Sequence, residues 1–221
     1  MNAIRAVLFD LYDTLVWSDW PAMRGELERR FGLTEAELLR AYSVTRPARS
    51  VGAFGSAEGD TAAILEAAGV VPDTELVREL AERTRLFLRT GVHLWEDSIP
   101  ALRAARSRGL RTALVSNCDH ATRPVIEALG LTDEVDATIL SYEVGVATPD
   151  AGIYEAALRS LGIPAEEAAF VDDQAGYCDG AAAVGIATLL ILRRDASPVE
   201  GVSAPGGHRV IRDLRTLVDL L

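Results

Sequence analysis

Short, unbroken apolar runs separated by amphipathic stretches set the layout of this chain. The first run, Ala6-Val7-Leu8-Phe9, leads directly into Asp10, with Tyr12, Asp13 and Thr14 close behind. Four consecutive apolar residues read as a strand covered on both faces, because a half-exposed strand would alternate. From residue 95 the pattern repeats: Thr112-Ala113-Leu114-Val115, residues 137–140, 168–171 and 186–192 predict strands, and 99–108, 120–129, 150–161 and 176–184 predict helices. Gly109, Gly130 and Gly162 end three of those helices. A last helix is expected over 211–220, after a Pro/Gly/Ser-containing loop at 195–207. Strands alternating with helices of this length predict an α/β fold, a Rossmann-like three-layer core built on a parallel sheet.

Residues 17–94 differ, with helical patterns and few β-branched runs. Thr34-Glu35-Ala36-Glu37 forms a capping box that starts a helix through Leu38, Leu39 and Tyr42, which Pro47 is expected to stop. Residues 50–59 read as a loop, 60–68 as a helix ending at Gly69, and Asp73 or Thr74 caps a helix carrying Leu76, Val77, Leu80, Leu86, Phe87 and Leu88. The predicted organisation is a core of residues 1–16 and 95–221, with an all-α helical cap, 17–94, inserted after the first strand. Trp17, Trp20 and Phe54 are assigned to the interior of that cap.

Composition narrows the function. The 221 residues carry a net charge of −11, which disfavours nucleic acid as a partner, since phosphate backbones are bound by basic stripes. None of the 22 basic residues is a lysine, so all are arginines. No apolar stretch reaches the roughly 18 residues of a membrane span, and Cys118 and Cys178 lack metal-ligand spacing, so a cytoplasmic protein with reduced thiols is expected, as monomer or homodimer. An anionic substrate must therefore be met by a local site.

That site is expected where strands end in polar residues. Asp10, Ser116-Asn117, Ser141 with Glu143 and Thr148-Pro149-Asp150, and Asp172-Asp173 all follow predicted strands. In open α/β sheets the carboxyl ends of strands are where ligands bind. Asp10 is read as nucleophile or metal ligand, against helix capping as the simpler role, and Asp172 and Asp173 as carboxylates able to share a hard divalent cation with it. Asp13 is assigned to capping or support. His93, His120 and His208 are isolated, with His120 closest to the predicted site.

Taken together these segments resemble the haloacid dehalogenase superfamily of hydrolases, with a helical cap inserted after strand one. Phe9-Asp10-Leu11-Tyr12-Asp13-Thr14-Leu15 matches its Asp-x-Asp-x-Thr motif except at Tyr12; Val115-Ser116-Asn117 matches the second motif, Glu143 to Asp150 the third, and Phe170-Val171-Asp172-Asp173 the fourth. The resemblance implies catalytic roles for Asp10, Ser116 and Asn117, and substrate contacts from Tyr12, Thr14, Thr148 and Arg123. It also implies Mg2+ held by Asp10, the main-chain carbonyl of Tyr12, Asp172 and Asp173.

Two departures matter. Phosphatases of the family carry a general acid/base Asp where this chain has Tyr12, and a phenol, with a reference pKa of about 10, is a poor base near neutrality. Family dehalogenases carry Tyr there, because halide leaves without a proton, but usually lack the acidic pair. The family lysine is replaced by Thr148, leaving Arg123, Arg46 or Arg49 as candidate stand-ins, although a guanidinium fork is not equivalent to an ammonium. Tyr177 stands where the family commonly has Asn or Asp. The expected function is Mg2+-dependent hydrolysis of a small phosphorylated metabolite through an aspartyl intermediate at Asp10. The alternatives are a 2-haloacid dehalogenase-like hydrolase and a catalytically silent ligand- or partner-binding protein.

Overall fold

In the computed structural model, which describes residues 3–193 and 207–217, the opening run Ala6–Phe9 is β1 and lies at the middle of the molecule. All four of its residues are fully buried. The other sheet strands are β4 (Arg111–Ser116), β5 (Ala137–Leu140), β6 (Ala168–Asp172), β7 (Ala187–Ile191) and β8 (Arg209–Ile211), in the spatial order β5-β4-β1-β6-β7-β8. Every pairing among them is parallel.

The alternation of side chains along β1 explains its unbroken apolar sequence. Val7 and Phe9 face one layer, with Ala101 and Leu102 of α5 (Ser98–Ser107) and Val125 and Ile126 of α6 (Arg123–Ala128). Ala6 and Leu8 face the opposite layer, with Ile153, Tyr154 and Ala157 of α8 (Ala151–Leu161) and Ala181 of α9 (Ala175–Ala183). A sheet sandwiched this way has no polar face, which is why period-two alternation is absent from the sequence. The three-layer α/β architecture is the one expected.

Between β1 and the rest of the sheet the chain forms α1 (Trp20–Phe31), α2 (Glu35–Ser50), α3 (Ala57–Ala67) and α4 (Thr74–Thr90). They enclose a separate apolar core of Met23, Leu27, Leu38, Leu65 and Leu80. The stretch 17–94 is not purely helical, because β2 (Val16–Ser18) and β3 (Val92–Leu94) pair antiparallel at its base. Three residues on each side are too few to show a period, so the ribbon left no sequence signal. Trp17 belongs to this ribbon, packed on His93 at 4.5 Å between ring centroids. Trp20 packs into the helical core, whereas Phe54 is exposed.

Other boundaries moved for identifiable reasons. The Thr34 capping box forms as predicted, with the Glu37 N–H donating to Thr34 Oγ1 and the Glu37 carboxylate accepting from the Thr34 N–H. Pro47, however, lies inside α2 and does not end it. Proline removes one helical hydrogen bond, but beyond it Arg49 is buried and tied to Tyr42 O and Asp119, so tertiary anchoring outweighs the local cost. Helix α3 starts early because Ser56 caps it, accepting from the Gly59 N–H at 3.0 Å. α6 is shorter than 120–129. The helix expected over 211–220 does not start at its first residues: Ile211 ends β8, Leu214–Thr216 is a 3-10 turn and Leu217 is helical, while 218–221 and most of the 195–207 loop lie outside the described residues. Among the described residues no helix is long and apolar enough to cross a membrane.

Candidate active site

The central strand places its terminal carboxylate between two neighbours. Phe9 is level with Leu114 of β4 and Val171 of β6, so Asp10 emerges beside Asp172, and its N–H donates to Val171 O at 3.0 Å. Carboxylate oxygens of Asp10, Asp172 and Asp173 all lie within 4.8 Å of one another. Burial raises the Asp10 pKa well above the ordinary carboxylate range, and the charges of Asp172 and Asp173 raise it further. Asp172 is pushed up to about 8, again chiefly by burial, and Asp173 is raised in the same direction. Three carboxylates that resist losing their protons together in a dry site are the electrostatic complement of a hard cation.

The donor set fits such a cation. Asp172 Oδ1 accepts the Gln174 N–H at 2.6 Å, and Asp173 Oδ2 accepts from Gln174 Nε2 at 2.6 Å. Asp172 Oδ2, by contrast, is buried without a hydrogen-bond partner. A native interior rarely leaves a carboxylate oxygen in that state unless a ligand completes it.

Three hydroxyls at the same edge of the sheet are also unsatisfied: Ser116 Oγ, Thr148 Oγ1 and Thr14 Oγ1. Thr14 is near enough to favour the charged form of Asp10 without completing a well-aligned bond. The Asn117 side chain bonds to the neighbouring loop. Its side-chain amide donates to Thr148 O at 3.0 Å and accepts the Thr148 N–H at 2.8 Å, clamping the position that carries lysine in the resemblance. Helix α9 packs against the next residue. A Cβ on Gly180 would lie 2.5 Å from the Pro149 carbonyl oxygen, so only glycine permits this approach.

Above the strand tips, α2 closes a cleft with a cavity of about 230 Å³, lined among others by Tyr12, Tyr42, Arg46, Arg49 and Asn117. A second opening beside Thr148 is shared with Arg46, Asn117 and Tyr177. The Tyr12 phenol is desolvated and its pKa raised, so it stays protonated and is no base. Of the three arginines considered, Arg123 forks onto Glu143 with both bonds at 2.5 Å and is committed there. Arg49 is buried in an ion pair with Asp119 at 2.6 Å. Arg46 is exposed and donates to the Tyr177 hydroxyl at 3.1 Å, with its charge directed to both openings. Asp13 is exposed at the rim in a left-handed conformation, φ 57°.

Two contributors carried no sequence signal. Asp60 of α3 pairs with His120, Oδ2 to Nδ1 at 2.8 Å, so this histidine is not isolated. Arg193, beyond β7, donates through Nε and Nη2 to the Thr14 carbonyl at 3.0 and 2.6 Å and pairs with buried Asp97 at 2.7 Å. It thereby holds the loop that follows the nucleophile candidate. Both depend on pairs 60 or more residues apart in sequence.

Comparison with known proteins accords with this geometry. The chain is 28% identical over 228 aligned residues to Phosphatase MT3486 of Mycobacterium tuberculosis, covering 99% of this chain and 97% of the relative. It is 28% identical over 221 residues to (S)-2-haloacid dehalogenase 1 of a Pseudomonas species, covering 95% and 93%. Among solved structures it superposes on the L-2-haloacid dehalogenase of Xanthobacter autotrophicus with chloropropionic acid covalently bound. That match has a TM-score of 0.70 and 20% identity and covers 98% of each chain, which shows a shared fold. The haloacid dehalogenase-like hydrolase family model matches residues 4–185, and this chain belongs to that hydrolase family.

Proposed function

We propose that the chain is a Mg2+-dependent phosphohydrolase of small phosphorylated metabolites, with residues 17–94 serving as its cap. The observation that carries this reading is the convergence of Asp10, Asp172 and Asp173 within 4.8 Å, with one buried Asp172 oxygen lacking a partner. A dehalogenase has no use for such a cluster, whereas a phosphoryl group arriving with its own negative charge does. Mg2+ bound by these carboxylates would neutralise charge on the phosphoryl oxygens.

Each residue then has a defined task. Asp10 attacks phosphorus as the ester P–O bond breaks and the alcohol portion leaves, and water then cleaves the resulting acyl phosphate, releasing inorganic phosphate and restoring the Asp10 carboxylate. The unsatisfied hydroxyls of Ser116 and Thr148 supply neutral donors to the phosphoryl oxygens, and Asn117 fixes Thr148 in place. Arg46 supplies the positive charge that a lysine provides elsewhere in the family. With Tyr12 in place of a carboxylate, no side chain at that position delivers a proton to the leaving group. Substrates with acidic leaving groups, which depart unaided, are therefore turned over best.

A second reading rests on the same Tyr12. Held protonated, it suits the displacement of halide from a 2-haloacid, and a haloacid dehalogenase stands among the relatives. One experiment separates the two. Magnesium is titrated calorimetrically into the parent and into Asp173→Ala, and phosphate esters and 2-haloacids are assayed beside Asp10→Asn. Magnesium-dependent heat in the parent alone, with ester turnover abolished by Asp10→Asn, is the expected result. Absence of that heat, or turnover that survives Asp10→Asn, refutes the proposal.

A further inference from the structure

The two halves of an aspartyl-phosphate cycle make different demands on this site. In loading, an Asp10 oxygen bonds to phosphorus while the P–O bond to the donor breaks, and a leaving group that is stable as an anion takes the electron pair without a proton. In discharge, a water oxygen bonds to phosphorus, the Asp10 carboxylate departs, and the hydrogens of the water leave with the phosphate. A positioned base that takes one of those protons during the attack speeds discharge by about a hundredfold or more. Loading has no use for it.

Among the described residues, none that lines the two openings is a free base. The linings include no histidine and no glutamate, and their two carboxylates are Asp119 and Asp150. Asp119 Oδ2 accepts from the Arg49 guanidinium at 2.6 Å, and its Oδ1 accepts the Ala121 N–H at 3.2 Å. Asp150 caps α8, with Oδ1 accepting the Gly152 N–H at 2.8 Å. Asp172 and Asp173 are held by Gln174 and belong to the carboxylate cluster that fits a cation. Asp13 stands exposed at the rim and His120 is turned to Asp60, and neither lines an opening. What remains is the Tyr12 phenol, with a reference pKa of about 10, and the neutral Thr148; neither takes a proton near neutrality. Asp10 itself is 8% exposed, so bulk water has little access to it.

We propose that the acyl phosphate on Asp10 outlives the step that forms it, so that the chain loads quickly and stands phosphorylated for most of each cycle. It rests on the phosphohydrolase reading for the nucleophile, and goes beyond it in making the phosphorylated chain the prevailing species. The donors are carboxylic–phosphoric anhydrides and aryl phosphates. Their leaving groups, a carboxylate with a reference pKa of about 4 and a phenolate near about 10, depart as anions, whereas the far more basic alkoxide of an alkyl phosphate does not. Discharge to water is slow because no side chain takes the proton.

The test gives acetyl phosphate and para-nitrophenyl phosphate, with magnesium, to the parent, Asp10→Asn and Tyr12→Asp. Rapid quenching follows release of para-nitrophenolate, and intact-protein mass spectrometry after acid quench follows the phosphorylated chain. The parent should show a burst near one equivalent per chain, then a slow phase, and a phosphorylated mass from both donors that is absent in Asp10→Asn. In Tyr12→Asp the burst should vanish and the steady rate rise about a hundredfold, since a carboxylate there serves as base. Hydroxylamine supplies a measurement that does not depend on that variant folding. It attacks the acyl carbon of the parent's acyl phosphate, expels phosphate and leaves a hydroxamate on Asp10, so the parent should be captured almost completely during turnover; only trace capture overturns the proposal. Steady turnover with neither burst nor phosphorylated mass also overturns it and leaves the phosphohydrolase reading standing. Stoichiometric loading without turnover does the reverse, and a chain that neither loads nor turns over removes both. A burst undiminished in a folded Tyr12→Asp also counts against the proposal.

Discussion

Replacing Arg193 by Met removes the cation of the most enclosed ion pair among the described residues, beside the loop that follows Asp10. The Arg193 and Asp97 side chains are 7% and 4% exposed and 2.7 Å apart. Without the guanidinium, Asp97 Oδ2 still accepts the Leu214 N–H at 2.8 Å, and its Oδ1 has no hydrogen-bond partner among the described residues. Breaking a buried pair by deleting one member costs about 3–5 kcal/mol, because a charge is left uncompensated. Thr14 O also loses two charge-assisted donors, at 3.0 and 2.6 Å. Since these losses share one side chain they do not add fully, and a total of about 4 kcal/mol is expected. At about 2–4 °C per kcal/mol for a chain of this size, the melting temperature should fall by about 10 °C. Denaturant unfolding of parent, Arg193→Met, Asp97→Asn and the double variant closes the cycle. The double variant should recover part of the loss, because its amide oxygen still accepts from Leu214 N–H without carrying a charge. A loss below about 1 kcal/mol in Arg193→Met, or no recovery in the double variant, refutes the reasoning.

Two further outcomes follow from the site. Asp172 titrates near 8 in the folded chain against an ordinary 3.8, so between those values the folded state holds a proton that the unfolded state has released. The contribution of Asp172 to magnesium-free stability is therefore fully present below about pH 4 and declines as pH rises toward 8. Urea unfolding in chelator should show this slope in the parent and a flatter one in Asp172→Asn, and saturating magnesium should flatten the parent as well; parallel curves would contradict it. Thr148→Lys restores an ammonium beside a cavity that can accept it, and kcat/KM for phosphate esters should rise at least about tenfold by charge stabilisation. Unchanged kinetics in a folded Thr148→Lys protein would show that Arg46 already meets the need.

What the sequence determined is the part that each segment settles alone or by simple repetition. Apolar runs of four to six residues required strands covered on both faces, and their alternation with helices required a parallel sheet whose tips bear Asp10, Ser116, Thr148 and Asp172. Tyr12 and Thr148 were visible as departures, because a motif position is read residue by residue. The tertiary structure decided what depends on distance across the fold. Pro47 inside α2 is tolerated because Arg49 is anchored by Asp119, seventy positions away. Strand β8, whose three residues are too few to show a period, pairs with the edge of β7, so Ile211, read as the start of a helix, ends a strand instead. Arg123, plausible from its place after Ser116, is claimed by Glu143, while Arg46 retains a charge for the cleft. Asp60 and His120, unremarkable as letters, become a pair only when α3 settles on the loop after β4. Local patterning fixes backbone and face, whereas charge partners and cavities arise from side chains that meet only after the chain has closed.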